Sequence, residues 1–183
     1  MKRTLIPLAE GFEETEAVSV IDILRRGGVE VVTASVGAGR LVTGAHGIKI
    51  EADTLIELCL DEDYDAIILP GGGPGTDNLL KDSALAARLK RQKDSGLLIG
   101  AICAAPLVLK QAGVLNGEAV TCYPTCAAAM KYPVARAPAV ADGQIITGQA
   151  PGAAMLFALV MLEHLTTSVQ AREVAAGLVT DVL

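Results

Sequence analysis

Leu97-Leu98-Ile99-Gly100-Ala101-Ile102-Cys103-Ala104-Ala105-Pro106 decides the fold: an apolar strand runs straight into a cysteine and then a helix. A short run without polar alternation suits a strand covered on both faces. At a sharp strand-to-helix turn, the sulfur lies over the first free N–H groups of the helix. Those groups and the helix dipole favour negative charge, so the thiol is expected to ionise more easily than an ordinary one. The arrangement is a nucleophile elbow with sulfur in place of oxygen. The alternative is a buried cysteine acting as a small hydrophobe.

Upstream of this stretch, Thr4–Leu8 reads as a buried strand and residues from Glu13 or Glu14 to Arg26 as a helix. Ala17, Val20, Ile21 and Leu24 form its apolar face at helical spacing, and Gly27-Gly28 ends it. Glu30–Ser35 is a second strand, so the chain opens β-α-β. Gly37–Glu51 is expected to be a hairpin excursion, and Ala66–Leu69 a third core strand broken by Pro70-Gly71-Gly72-Gly73-Pro74-Gly75. Ser83 is expected to cap a helix reaching Ser95. Downstream, a helix to Ala112, a strand at Ala119–Cys122 and a short helix at Thr125–Lys131 follow. Asp142-Gly143 turns between strands Ala137–Ala141 and Gln144–Thr147. Two helices close the chain, Ala153–Leu165 and one opened by the Thr167-x-x-Gln170 capping box. The reading is a single domain over residues 1–183, with a doubly wound α/β fold.

Bulk composition agrees. Hydrophobic residues are 51% of 183, yet aromatics are only 3% and Trp is absent, so the core is aliphatic. A formal net charge of −6 leaves no basic stripe to neutralise phosphates and argues against nucleic acid. The longest apolar run, Ala153–Leu162, is too short to span a bilayer, and no signal peptide is expected in Met1-Lys2-Arg3-Thr4. The expectation is a cytoplasmic protein with no membrane partner, whose cysteines (Cys59, Cys103, Cys122 and Cys126) are reduced. Cys59 reads as packing. Cys122 and Cys126 lack the further ligands a zinc site needs, so no metal is expected.

In open parallel sheets, sites form beyond the carboxyl ends of the strands, near a switch in strand order. Ala9–Glu16, Pro70–Gly75 and Cys103–Pro106 each follow a core strand and therefore share one edge. The glycine run is either a tight turn or an oxyanion-type hole, whose N–H groups need close approach to a reacting oxygen. It matches neither a Walker phosphate loop nor Gly-x-Gly-x-x-Gly. Glu10, Glu13, Glu14 and Glu16 favour a helix start electrostatically, and one of them is placed to reach the sulfur.

With Gly11-Phe12-Glu13-Glu14-Thr15-Glu16-Ala17, Leu69-Pro70-Gly71-Gly72 and Ala101-Ile102-Cys103-Ala104-Ala105-Pro106 in this order, the chain resembles the ThiJ/PfpI superfamily. Within it, the match is to the DJ-one branch, which includes the parkinsonism-associated deglycase. The resemblance spans essentially the whole length, including Gln149-Ala150-Pro151-Gly152. It implies a flavodoxin-like, mostly parallel sheet with helices on both faces, no cofactor, and a homodimer meeting through the first helix and the hairpin. By position it makes Cys103 the reactive cysteine and Glu16 the glutamate that contacts it. Gly72 and Ala104 supply the backbone N–H groups of a small oxyanion pocket. It further implies that Glu16 is protonated and donates to the Cys103 thiolate. A charged carboxylate beside the sulfur would raise the thiol pKa, so the two must titrate as one unit.

Two departures stand out. Tyr123 occupies the place where many members carry a histidine, and neither His46 nor His164 replaces it. Gln149 stands where some members have an arginine, which weakens binding of anionic ligands. Glu163-His164 does not supply the late His-x-Glu of glutamine amidotransferases, so glutamine hydrolysis is not expected. The resemblance leaves two functions open. One is a glyoxalase- or deglycase-type enzyme acting on small aldehydes or glycated substrates. The other is a redox-sensing or chaperone-like protein whose Cys103 oxidises to a sulfinate.

Overall fold

The computed structural model describes residues 1–181. β1 (Arg3–Ala9), α1 (Glu14–Arg26) and β2 (Glu30–Val36) form the expected opening unit, with Arg3 opposite Glu30 and Ala9 opposite Val36 in parallel register. Glu13 caps α1, its Oε2 accepting the Glu16 N–H at 2.7 Å. The excursion is a short antiparallel pair, β3 (Leu41–Thr43) and β4 (Lys49–Glu51), followed by β5 (Thr54–Leu55). Next come β6 (Ala66–Leu69), α2 (Gly73–Leu79), α3 (Ser83–Asp94), β7 (Leu98–Ile102), α4 (Pro106–Gln111) and α5 (Ala127–Met130). β8 (Ala139–Asp142), β9 (Ile145–Gly148), α6 (Ala154–Leu165) and α7 (Ser168–Gly177) complete the described chain.

Seven strands make one sheet in the order β5-β2-β1-β6-β7-β9-β8, parallel except where β8 meets β9. Side chains alternate between its faces, as the two-residue period of a strand requires. Ile6, Ile68 and Ile102 join a core with α1, α6 and α7 residues such as Leu24, Phe157 and Ala171. Leu5, Ile67 and Ile99 join a second core with Leu85, Leu89 and Leu109 from α3 and α4. This is the flavodoxin-like, doubly wound α/β arrangement. β1 lies between β2 on one side and β6 on the other, so the strand order reverses between β1 and β6. β7 is the next strand along, and the loops after β1, β6 and β7 meet at one edge.

Three local expectations are corrected. The glycine-rich run is more than a turn, because α2 begins inside it at Gly73; Pro74 sits in the first turn, where a missing N–H costs nothing. Asp82, not Ser83, caps α3 by accepting the Leu85 N–H at 2.9 Å. Ala119–Cys122 is not a sheet strand and makes only an isolated bridge, Val120 to Val134. Both sides of β9 are taken by β7 and β8, so that segment has no slot in the ladder, and the Thr121 N–H goes to Thr147 Oγ1 at 2.8 Å. The expected turn at Asp142-Gly143 is present, with Gly143 at φ +58°.

Candidate active site

Cys103 sits where β7 ends, at φ +64°, a left-handed conformation that costs a non-glycine residue about 1 kcal/mol or more. Two hydrogen bonds hold it there: its N–H donates to Gly148 O at 3.0 Å, and its carbonyl accepts from the Tyr123 N–H at 2.8 Å. The elbow anticipated from the strand–cysteine–helix pattern is therefore present. Cys103 is 8% exposed, so the sulfur is sheltered but not sealed off.

Glu16 approaches from the first turn of α1 and is completely buried. Its Oε2 accepts the Gly71 N–H at 2.7 Å, while Oε1 is buried without a conventional partner. The carboxyl faces the Cys103 sulfur, and so do the backbone N–H groups of Gly72 and Ala104. All four residues singled out in the sequence thus converge. Gly71 was not among them, although it lies in the same quoted run. A Cβ on Gly71 would stand 2.7 Å from the Cys103 Cβ and 2.8 Å from Glu16 Oε2, so only glycine fits between the two side chains. Gly72, at φ +89°, would drive a Cβ to 2.4 Å from Gly11 O. The loops are cross-tied by the Glu13 N–H to Gly71 O and the Gly75 N–H to Gly11 O, both at 3.0 Å.

Burial pushes Glu16 up to about 7, with Glu13 adding to the rise and the Gly71 N–H and Cys103 opposing it. Cys103 is pushed up to about 12, first by burial and next by the charge of Glu16, against the pull of Gly72 and Ala104. This corrects the expectation of an easily ionised thiol. The helix meant to help starts only at Pro106 and is six residues long, so its dipole is small and remote. The anion-binding N–H groups are in place, but they act on a sulfur whose neighbour carries the first charge. Once Glu16 takes a proton, the repulsion disappears and the same carboxyl becomes a donor. The pair therefore shares one proton and one negative charge.

Around this centre the remaining candidates have other duties. Glu14 is buried, and its Oε1 accepts the N–H groups of His46 (2.6 Å) and Ile48 (3.3 Å), with His46 Nδ1 2.9 Å from Oε2. Burial raises the Glu14 pKa, but these bonds outweigh it and hold the group below its ordinary value. Glu13, Glu14 and His46 are the group among the described residues whose ligand atoms, within 4.8 Å of one another, could hold a cation. Glu14 is already occupied as a clasp between α1 and the hairpin. His164 turns its Nδ1 to Val160 O on α6, and Tyr123 is half exposed. Cys59 and Cys122 are buried, and all four cysteines are free. No helix among the described residues is long and apolar enough to cross a membrane.

Comparison with known proteins agrees with this geometry. The model of the DJ-1/PfpI family matches residues 2–164. Protein DJ-1 homolog B of Arabidopsis thaliana is 41% identical over 186 residues, covering 97% of this chain and 41% of that protein. The chain spans less than half the length of both Arabidopsis relatives it matches. A Caenorhabditis elegans relative named glutathione-independent glyoxalase DJR-1.2 is 37% identical, covering 85% of this chain and 84% of its own length. Among solved structures, Toxoplasma gondii DJ-1, described as oxidized, superposes with a TM-score of 0.95 at 39% identity, covering 99% of this chain and all of that one. On these matches and on the Cys103–Glu16 arrangement, the chain belongs to the DJ-1/PfpI family.

Proposed function

We propose that this chain is a cofactor-independent cysteine enzyme acting on reactive 2-oxoaldehydes, with methylglyoxal as the simplest substrate and Cys103 and Glu16 as its catalytic residues. The observation that carries the reading is the strained Cys103, whose sulfur faces a proton-holding carboxyl and two backbone N–H donors. The relative named as a glutathione-independent glyoxalase adds weight.

The sulfur forms a bond to the aldehyde carbon, and the carbonyl oxygen takes the displaced electron pair next to the N–H groups of Gly72 and Ala104. Glu16 gives its proton to that oxygen, producing a hemithioacetal. The resulting carboxylate removes the hydrogen on C1 as a proton and returns it to C2, which turns the hemithioacetal into a 2-hydroxy thioester. Water then cleaves the thioester, releasing lactate and the free thiol, so no external reductant or oxidant is consumed. Glycated amines or thiols are admitted by the same first step. A homodimer belongs to this reading, with exposed Val18 of α1 and Ile48 of the β3–β4 turn as contact residues.

Lactate formation from methylglyoxal without glutathione tests the proposal in native protein, Cys103→Ala and Glu16→Gln. Turnover lost in both variants supports it; native protein at the no-enzyme background refutes it. A second reading, oxidation of Cys103 to a sulfinate held by the same donors, is favoured by the oxidized state of the Toxoplasma gondii relative. It predicts selective peroxide modification of Cys103 with no aldehyde turnover.

A further inference from the structure

Three hydrogen bonds close a ring beside the sulfur. The Glu16 N–H donates to Glu13 Oε2 at 2.7 Å, the Glu13 N–H to Gly71 O at 3.0 Å, and the Gly71 N–H to Glu16 Oε2 at 2.7 Å. Gly71 O and the Gly72 N–H belong to one planar trans peptide, so a donor on that oxygen aims the N–H the opposite way, toward the Cys103 sulfur. Glu13 thus holds both partners of the sulfur, the Glu16 turn through its carboxylate and the Gly72 donor through its backbone. It is 8% exposed and sits at the cap of α1, where Ser, Thr, Asp and Asn are the preferred side chains. What glutamate adds over serine or asparagine at this buried place is a negative charge.

We propose that Glu13 is a positioning residue of the active site: the ring it closes directs Glu16 Oε1 to the Cys103 sulfur, and its charge keeps the catalytic proton on that carboxyl. The proposal deepens the 2-oxoaldehyde reading and rests on it. Two like charges resist sharing a buried turn, so the Glu13 carboxylate adds to the rise of Glu16. Glu16 meets Glu13 on α1, Cys103 at the end of β7 and the Gly71 N–H in the loop after β6. From the hairpin, His46 Nδ1 lies 4.0 Å from Glu13 Oε1 and 2.9 Å from Glu14 Oε2.

Infrared titration of Glu16 tests this without a substrate, its protonated-carboxyl stretch being the band lost in Glu16→Gln. The native midpoint is expected at about 7. Glu13→Gln keeps an oxygen for the Glu16 N–H but drops the charge, and its midpoint should move to a proton concentration at least about threefold higher. The same displacement is expected in Glu13→Ser, an ordinary helix cap, and with His46→Asn added to remove the other group that titrates beside Glu13. A native midpoint in Glu13→Gln or Glu13→Ser assigns Glu13 to capping alone and overturns the proposal. With methylglyoxal, Glu13→Gln should reach a plateau of kcat/KM above pH 8 lower by the same factor, because the singly charged pair then keeps its proton less often on Glu16. Glu13→Ala, which also opens the ring, should lower kcat at least about tenfold with KM within about twofold of native. Unchanged kcat in Glu13→Ala overturns the positioning role. If native protein turns over no aldehyde, the 2-oxoaldehyde reading fails, and the infrared midpoints still decide whether Glu13 holds the proton on Glu16.

Discussion

Gly71 donates its N–H to Glu16 Oε2 at 2.7 Å, although the two residues are 55 positions apart in sequence. That bond fixes which carboxyl oxygen is occupied, and so leaves Oε1 as the one able to carry a proton toward the sulfur.

Cys103 alkylation should report the charge of the pair rather than that of an isolated thiol. With Glu16 raised to about 7 and Cys103 to about 12, the pair carries a single negative charge between those values. Because the charge of Glu16 is one of the causes that push Cys103 up, Glu16→Gln is expected to lower the pH at which the rate of reaction with iodoacetamide rises. A midpoint in the variant at or above the native one would sink the coupled account.

Stability should fall as that charge develops. Glu16 has a folded pKa near 7 against an ordinary value of 4.5, so the folded state binds more protons between those limits and loses stability as pH rises through them. Glu16→Gln is therefore expected to be more stable than native at pH 8, by on the order of 3 kcal/mol, with the gap closing near pH 4.5. Denaturant melts at the two pH values decide this, and a gap independent of pH contradicts it.

Gly71→Ala places a Cβ 2.7 Å from the Cys103 Cβ and 2.9 Å from Ile102 O. Backbone on one side cannot yield cheaply, so a loss of about 1–3 kcal/mol is expected, as for other overpacked sites. Cys103 alkylation should slow together with it. Unchanged stability and reactivity would mean that the loop is looser than described.

Glu14→Ala should free the hairpin. Its carboxylate receives the N–H groups of His46 and Ile48, and removing it is expected to cost about 2 kcal/mol. Glu14 is held below its ordinary pKa, so this contribution is present above the unfolded carboxyl value and is lost as pH falls. Amide exchange at His46 and Ile48 should accelerate in the variant at pH 7 while exchange in β7 stays slow.

Sequence patterns foretold the sheet and the elbow because strands buried on both faces are written as uninterrupted apolar runs, as in Leu97–Ile102. Cys103 was legible in its strand-to-helix turn, Glu16, Gly72 and Ala104 came only from the family resemblance, and their convergence follows from the strands being neighbours. Three features escaped for identifiable reasons. α2 starts on Gly-Pro-Gly, residues of poor helix propensity that tertiary ties at Gly11 and Phe12 override. Ala119–Cys122 reads as a strand, and only the pairing of β8 with β9 denies it a partner. The thiol pKa depends on how deeply Cys103 and Glu16 are buried together, which no one-dimensional pattern records.

The bond from the Cys103 N–H to Gly148 O also governs when reactivity can arise in the life of the chain. The strained cysteine is held by a residue 45 positions later, so a ribosome-bound chain that has exposed Cys103 but not β9 cannot hold the elbow. Until then its thiol sits on a backbone that nothing from β9 holds in the left-handed conformation. Selective labelling of Cys103 is thus a clock for completion of the sheet, and a truncated chain ending before β9 should carry an undistinguished cysteine.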